Sequence, residues 1–549
     1  MEGEQKMASR DNGMDHRKTS VSRPLTRREL GRRAALAGLT IPGAASLGGM
    51  LALAPQRTGA QTAGGSTVWA AESDPVSLDP IVDSGFAATQ AFEHSYESLA
   101  GYDSNLNIVP ALAESWETPD DLTYIFHLRQ GVKFHDGSDF TAEDVKYTFD
   151  FVIDQDGPAG WRVNFSQVES VEIIDSHTVQ FNNNSPFPGL LGAMAILRSS
   201  MVVKQGAFET PEVLATSING TGPYKLVEYV PKDYILYQRN PDYWGNPLPY
   251  IEEVTFKILE DEETRIAGLR GGSLDYAALS TDGMLRMEGD SAFTINSAPR
   301  SYLYILQLNP RRPHWYHPSV RKAISIAINR EEISDKVFSG GLHMSGPIPA
   351  GFGDWALPAD EIAAAYSNDL DEARALLAEG GIEEGTELDF VVTAFNQFFP
   401  GLAVVVADQL SRVGIKVNIR QLETGVFITE TSEEGGYNFD MQPNAFSPRH
   451  DPDGFVFRFH SDIMMAGSET TLGSDELDDL LVKGRTTIDP ALRKEYYDAA
   501  QRILLELAPM TWIGNDSVIE AVRTNIQDYT QSPFSRRDWG LKHSWIASE

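Results

Sequence analysis

Apolar positions along this chain switch between a period of two and a period near 3.6, and the switches mark out its elements. Leu122–Leu128 (LTYIFHL) alternates β-branched and aromatic residues with polar ones and predicts a strand with one buried face. Gln130-Gly131 and His135-Asp136-Gly137 supply turn chemistry. Thr141-Ala-Glu-Asp144 reads as a capping box opening a helix whose Val145, Phe149 and Val152 share a face. Upstream, Thr67–Ala71 is a short apolar strand, Glu72–Pro80 a loop, and Phe86–Leu99 a helix with Phe92, Tyr96 and Leu99 on one side. Downstream, Val168–Phe181 predicts two short strands around Asp175-Ser176.

The second half follows the same logic. Tyr224 and Leu226, then Ile235 and Tyr237, keep the strand period, and Val254–Leu259 is another strand before a helix and the Gly271–Asp275 turn. Gly220-Thr-Gly222 lacks the spacing of a dinucleotide fingerprint and the lysine of a P-loop, so nucleotide binding is not indicated. Arg300–Asn309 is a continuous apolar run, the mark of a strand covered on both faces. Val320, Ile324, Ala327 and Ile328 line one helix face, and Asn329 caps the next helix with Glu332 at its third position. Asp389–Phe395, Val404–Leu410 and Ile415–Ile419 give the strand–helix–strand order of a parallel α/β unit. Asp489-Pro490 opens a long helix on which Leu492, Tyr496, Ala500, Ile503 and Leu507 form the expected apolar stripe. Thr511–Gly514 and Val518–Val522 are the last strands expected.

Composition narrows the picture. At 549 residues the chain exceeds what one core supports, and 42% apolar with 22% charged residues argues for a folded, multi-domain protein. The net charge is −33, and it is uneven: residues 1–63 hold ten basic and five acidic residues, leaving 35 basic against 73 acidic in the rest. A surface that acidic repels phosphate backbones, so nucleic acid is excluded as a natural partner. Residues 1–63 read as an export signal. Thr26-Arg27-Arg28-Glu29-Leu30 resembles a twin-arginine motif, Arg32 and Arg33 extend the basic flank, and Ala34–Ala54 is uncharged. Those 21 residues are also long enough to span a bilayer, but their glycines and prolines favour a cleaved signal, with Thr58-Gly59-Ala60 the better cleavage candidate. The chain has no cysteine, which removes disulfides, thiol catalysis and a lipidated-cysteine anchor.

Three blocks carry a resemblance: AESWE with LTYIFHLRQGVKFHDGSDFTAEDV, then GTGPYKLVEYVPKDYILYQRNPDYWG, then HPSVRKAISIAINREEISDKVFSGG. Together they resemble the family 5 extracellular solute-binding proteins of ABC importers, the oligopeptide-, dipeptide- and nickel-binding type. The resemblance implies an α/β class II clamshell of two lobes joined by crossing strands, with an extra small α/β domain on the first lobe. It assigns 66–100, 220–300 and 525–549 to the core of lobe I, 101–219 to the extra domain and 301–524 to lobe II. It implies a monomeric receptor outside the cytoplasmic membrane, periplasmic or extracellular. Such a receptor captures a peptide-like or other small solute and delivers it to permease subunits served by a cytoplasmic ATPase.

In peptide-binding relatives an aspartate in lobe II anchors the ligand's ammonium group. Here the corresponding stretch, Tyr437–Asp453, places Phe446 at the aromatic position and Arg449 or Pro448 at the anchor, neither of which pairs with an ammonium group. An arginine instead offers a fork for carboxylate or phosphate. The ligand-binding residues the resemblance implies are Asp74, Gln307, Phe395, Asn396, Phe446 and Arg449, with Asp451, Asp453 or Asp74 as substitute acids. An opine-like or anionic solute, an oligosaccharide and a metal chelate remain alternative ligands. A secreted hydrolase of peptides or saccharides is the competing function, but no nucleophile elbow, HExxH helix or Walker sequence is present. His314 and His317 sit beside Pro313 and Pro318, poor helical context for a metal pair, so no catalytic residue, metal or cofactor is assigned.

Overall fold

Two mixed sheets, joined at two adjacent crossings, carry most of the chain. The computed structural model describes residues 63–83, 85–103, 106–154, 156–159, 162–196, 200–393, 396, 398–432, 435–446, 449, 451–461, 474–532, 534 and 538–547. All belong to the unit Ala60–Glu549. The expected signal and its cleavage site lie outside the described residues, save for Ala63. No described helix is long and apolar enough to cross a membrane.

The first sheet has seven strands, in the spatial order Phe293–Pro299, Ser517–Arg523, Tyr276–Leu279, Ser66–Ala71, Glu253–Ile258, Tyr234–Arg239 and Tyr224–Val230. Its centre is Ser66–Ala71, which runs parallel to both neighbours. Trp69 on that strand is fully buried, stacked on Tyr276 at 4.3 Å, with Phe256 and Tyr529 edge-on. The second sheet has five strands, Lys416–Leu422, Glu387–Thr393, Met441–Phe446, Leu303–Leu308 and Thr511–Gly514. The strand–helix–strand unit is parallel as its pattern requires, Glu387 facing Lys416 and Thr393 facing Leu422. Architecture of this kind is a class II clamshell of mixed α/β lobes.

The Pro110–Val152 stretch forms a separate four-stranded antiparallel sheet with Val168–Asp175 and Thr178–Asn183. The helix Ala142–Ile153 opens with the expected capping box, the Thr141 N–H donating to Asp144 Oδ2 at 2.9 Å. Gly131 and Gly137 adopt φ of 73° and 87°, where side chains are disfavoured. Phe126, Phe149 and Phe181 pack edge-to-face at 5.0–5.4 Å beneath the helix.

Three expectations change. The first-lobe helix ends at Phe92 rather than Leu99, because tertiary contacts take the next carbonyls: Tyr224 N–H donates to His94 O and Gly222 N–H to Ser95 O. The GTG block is therefore a packing device. A Cβ at Gly220 would stand 2.0 Å from Ser95 O, and one at Gly222 would stand 2.6 Å from Ser95 C. On the helix Pro490–Leu507 the buried positions are Arg493, Tyr497, Ala500, Gln501, Leu504 and Leu505, while Leu492 is 40% exposed. The buried face is rotated from the apolar stripe because Arg493 and Tyr497 find charged partners inside. Finally, Ser517–Arg523 pairs with strands of the seven-stranded sheet, so the chain leaves the second sheet at Gly514 rather than at 524. Its Val518–Val522 centre is buried on both faces there, and the one charged residue in it, Glu520, accepts from the Tyr276 and Tyr529 hydroxyls at 2.8 Å.

His135 closes the GTG contact: its N–H donates to Gly220 O and its Nε2 lies 3.0 Å from Gly222 O. Burial pushes the imidazole down to about 4, outweighing the Gly222 bond, with Lys225 lowering and Asp136 raising it. A histidine held neutral in the fold stabilises above the free value near 6.5, and that contribution is lost as pH falls from there to about 4. Urea midpoints measured from pH 7 to pH 4 are expected to fall more steeply for the wild type than for His135→Gln. Equal slopes would remove His135 as the source.

Candidate ligand-binding cleft

The three strands Lys416–Leu422, Glu387–Thr393 and Met441–Phe446 run parallel, so their carboxyl ends lie at one edge of the second sheet. Leu303–Leu308 is antiparallel to the last of them and begins at that same edge. Crevices for ligands form outside the carboxyl ends of parallel strands, and both crossings between sheets arrive here. The chain enters the second sheet through Arg300–Tyr302 and leaves it through Asn515-Asp516. The two crossings are tied together. Arg300 N–H donates to Asp516 O at 2.8 Å, and Arg300 Nε lies 3.4 Å from Asp516 Oδ1. Burial raises the Asp516 carboxyl above its ordinary value, with Arg300 opposing.

A cavity of about 570 Å³ opens at this edge. Its floor is an amide cluster in which Gln442 Nε2 and Asn444 Nδ2 both donate to Gln307 Oε1, at 2.9 and 3.1 Å. Register explains the cluster, since Gln307 faces Gln442 and Ile305 faces Asn444 across the pair, putting all three amides on one face. The cavity exists because the sheet splays. The strands Glu387–Thr393 and Met441–Phe446 are bridged only at Phe390 and Met441. Past that point Pro443, which has no N–H to offer, sits on an open edge.

Thr393 and Thr424 at the strand ends, Phe399, and Phe427 and Ile428 of the helix Thr424–Glu430 form the walls. Ile428 is 61% exposed at the rim. Tyr437 completes the lining with φ of 51°, an uncommon value for a bulky residue. It is held there by its N–H to Ser432 O, by Asn309 Nδ2 on its carbonyl and by Arg311 stacked 3.9 Å over its ring. Strain of this kind, of order 1–3 kcal/mol, gathers at ligand clamps. No lining residue is charged: the chemistry is amide, hydroxyl, aromatic and aliphatic.

The expected ligand residues divide into groups. Gln307 lies on the cavity floor. Asn396 lies near the hydroxyls of Tyr304 and of Tyr302, the second of which lines the cavity. Phe395 lies outside the described residues. Phe446 ends its strand two residues beyond Asn444 and is only 4% exposed, packed with Leu303, Ile305 and Trp512. The Arg458 guanidinium covers its ring at 3.7 Å. Arg449 follows on the loop, its guanidinium lowered from its usual value by burial.

All three substitute acids are already engaged. Asp451 accepts two bonds from Arg493, at 2.6 and 2.8 Å. Asp453 accepts from Arg485 at 2.6 and 3.0 Å and from the Tyr497 hydroxyl. Asp74 belongs to the first lobe, where it accepts from the Tyr229 hydroxyl and the Lys232 N–H, both at 3.0 Å. Asp451 faces the extra domain: a Cβ on Gly189 would stand 3.4 Å from its carboxyl.

Sequence reasoning missed Tyr302, Thr393, Thr424, Phe427, Ile428, Tyr437, Gln442 and Asn444. A signal was present for two of them, because Gln442 and Asn444 are polar residues at alternate positions flanking a proline inside a strand.

Residues 107–464 match the model of the bacterial extracellular solute-binding proteins, family 5, middle region. Among proteins with similar sequences, di/tripeptide-binding protein 1 of Pseudomonas aeruginosa is 28% identical over 518 residues, covering 85% of this chain and 92% of its own length. The dipeptide-binding protein of Escherichia coli is 27% identical over 522 residues, covering 88% and 96%. Among solved structures, the periplasmic binding protein DppA of Helicobacter pylori in complex with the peptide STSA superposes with a TM-score of 0.74 at 25% identity, covering 89% of this chain and 99% of its own. The match spans both sheets and the small domain, with the cavity at the edge where the crossings meet. The chain belongs to the family 5 bacterial extracellular solute-binding proteins.

Proposed function

We propose that this protein is the receptor of an ABC importer, taking up a peptide-like solute outside the cytoplasmic membrane and handing it unaltered to the permease. The observation that carries this reading is the neutral cavity at the crossing edge, in a chain similar along nearly its whole length to di- and tripeptide-binding proteins. Gln307, Gln442 and Asn444 offer amide donors and acceptors to a peptide backbone, and Phe427, Ile428 and Tyr437 cover apolar side chains. Closure of one lobe on the other follows from contacts that only the closed form makes. A single copy acts, exported through the twin-arginine-type signal in residues 1–63, and no catalysis is involved.

The end group of the solute is anionic. The three acids at hand are internally engaged, and Arg449 or Pro448, neither of which pairs with an ammonium group, falls where the resemblance puts the ammonium anchor. The test is thermal-shift screening of free-amine dipeptides against N-acylated and dicarboxylic analogues, with product analysis alongside. A true ligand at a hundredfold excess over Kd stabilises by about 2.7 kcal/mol and is recovered unchanged. Arg449→Ala is expected to abolish most of that gain. Turnover of the probe, or an undiminished shift in the variant, would count against the receptor reading and the arginine role respectively.

A further inference from the structure

The amide cluster on the cavity floor has a fixed polarity, and a single backbone N–H sets it. Ala445 N–H can only donate, and it does so to Asn444 Oδ1 at 2.7 Å. The Asn444 amide is thereby turned with Nδ2 outward, and that group donates to Gln307 Oε1 at 3.1 Å. Gln307 must meet this donor with its oxygen. Gln442, opposite Gln307 in the strand pair, must meet the same oxygen with Nε2, at 2.9 Å. The order holds even at a cost: Gln442 is 5% exposed, and its own Oε1 is buried with no donor. Turning that amide over would set two carbonyl oxygens face to face.

The consequence falls on Gln307. Its oxygen is taken twice, so what it has left for the cavity is Nε2, a pure donor with no partner among the described residues. A donor in a cavity without charged lining suits a neutral acceptor. A carboxylate placed there would leave water with no counter-ion to meet it, whereas a carbonyl oxygen needs only one or two donors. An ammonium group fares worse, since the one amide oxygen without a donor, Gln442 Oε1, is shut away.

We propose that Gln307 binds a peptide carbonyl oxygen of the solute through Nε2, with Asn444 and Gln442 as positioning residues that keep its oxygen turned from the cavity. This rests on the receptor reading above and names the atom that tells a peptide bond from its isosteres.

Calorimetric titration tests it with dialanine and N-succinyl-dialanine, each also with its amide oxygens replaced in turn by sulfur, on the wild type and Gln307→Glu. Ionised glutamate keeps both bonds from Gln442 and Asn444 and has no hydrogen to give, so the fold is retained and the donor is lost. In the wild type at least one sulfur replacement is expected to weaken binding by about fivefold or more, sulfur being the poorer acceptor. Gln307→Glu should bind the oxygen peptide about tenfold or more weakly, and the same sulfur replacement should then change affinity by less than about twofold. Where that variant binds too weakly to titrate, Gln307→Met, uncharged and equally without a donor, supplies the ratio. Equal sulfur penalties with and without the Gln307 amide, or a Gln307→Glu affinity within about twofold of the wild type, overturn the proposal and leave the receptor reading intact. If neither peptide binds the wild type, the receptor reading fails and the proposal falls with it.

The polarity has a readout without solute. The urea midpoint of Gln307→Glu should lie above that of Gln442→Glu, whose carboxylate would face the Gln307 oxygen; the reverse order overturns the orientation of the cluster and the proposal built on it.

Discussion

Replacing Arg493 by methionine is expected to cost about 3–5 kcal/mol of folding stability, read as a lowered urea midpoint at neutral pH. Arg493 and Asp451 are 6% and 8% exposed and share two hydrogen bonds. Coulomb attraction between them offsets a desolvation cost that neither meets alone, so removing one partner strands the other's charge in the interior. Arg493 also donates to Gly484 O at 2.7 Å and reaches the Tyr497 hydroxyl, whose own bond goes to Asp453. The variant therefore loosens the base of the loop that carries Phe446, Arg449 and Arg458. The double variant Asp451→Leu with Arg493→Met should recover most of the loss, because no charge is then left unpaired. A single-variant cost below about 1 kcal/mol would place this pair with ordinary surface ion pairs and sink the argument.

Trp69→Ala is expected to cost about 3–5 kcal/mol, the range for truncating a fully buried aromatic side chain. Trp69 sits on the central strand of the first sheet, against Tyr276, Phe256 and Tyr529, and its indole N–H donates to Thr67 Oγ1 at 3.0 Å. Truncation removes the aromatic stack and leaves a cavity that flanking parallel strands cannot collapse to fill. The cavity that holds the solute belongs to the other sheet, so affinity per folded molecule should stay within a few-fold of the wild type while the urea midpoint drops. A parallel loss of affinity in protein that remains folded would show that the first sheet contributes to the floor of the site.

Local pattern was enough for elements whose partners are near in the chain. The capping box at Thr141–Asp144, the paired strands around Asp175-Ser176 and the parallel unit from Glu387 to Leu422 each carry their own instructions: a cap, a turn, a change of period. Local pattern failed where distant backbone or charge intervened. The helix stops at Phe92 because Gly222 and Tyr224, far along the chain, take the His94 and Ser95 carbonyls. The long helix turns Arg493 and Tyr497 inward because acids on another loop await them, a choice an apolar stripe cannot encode.

The site divides along the same line. Gln307 and Asn396 were within reach of family resemblance, whereas the cavity walls come from where strands end and splay, which no single segment records. By itself the sequence determined the class of molecule: an acidic, cysteine-free, two-lobed solute receptor built from three recognisable blocks. Only the tertiary structure decided that Asp74, Asp451 and Asp453 are already engaged inside the fold. Whether a charge is spent inside the fold or left for a ligand depends on distances between segments remote in the chain, and electrostatic energy follows those distances rather than sequence order.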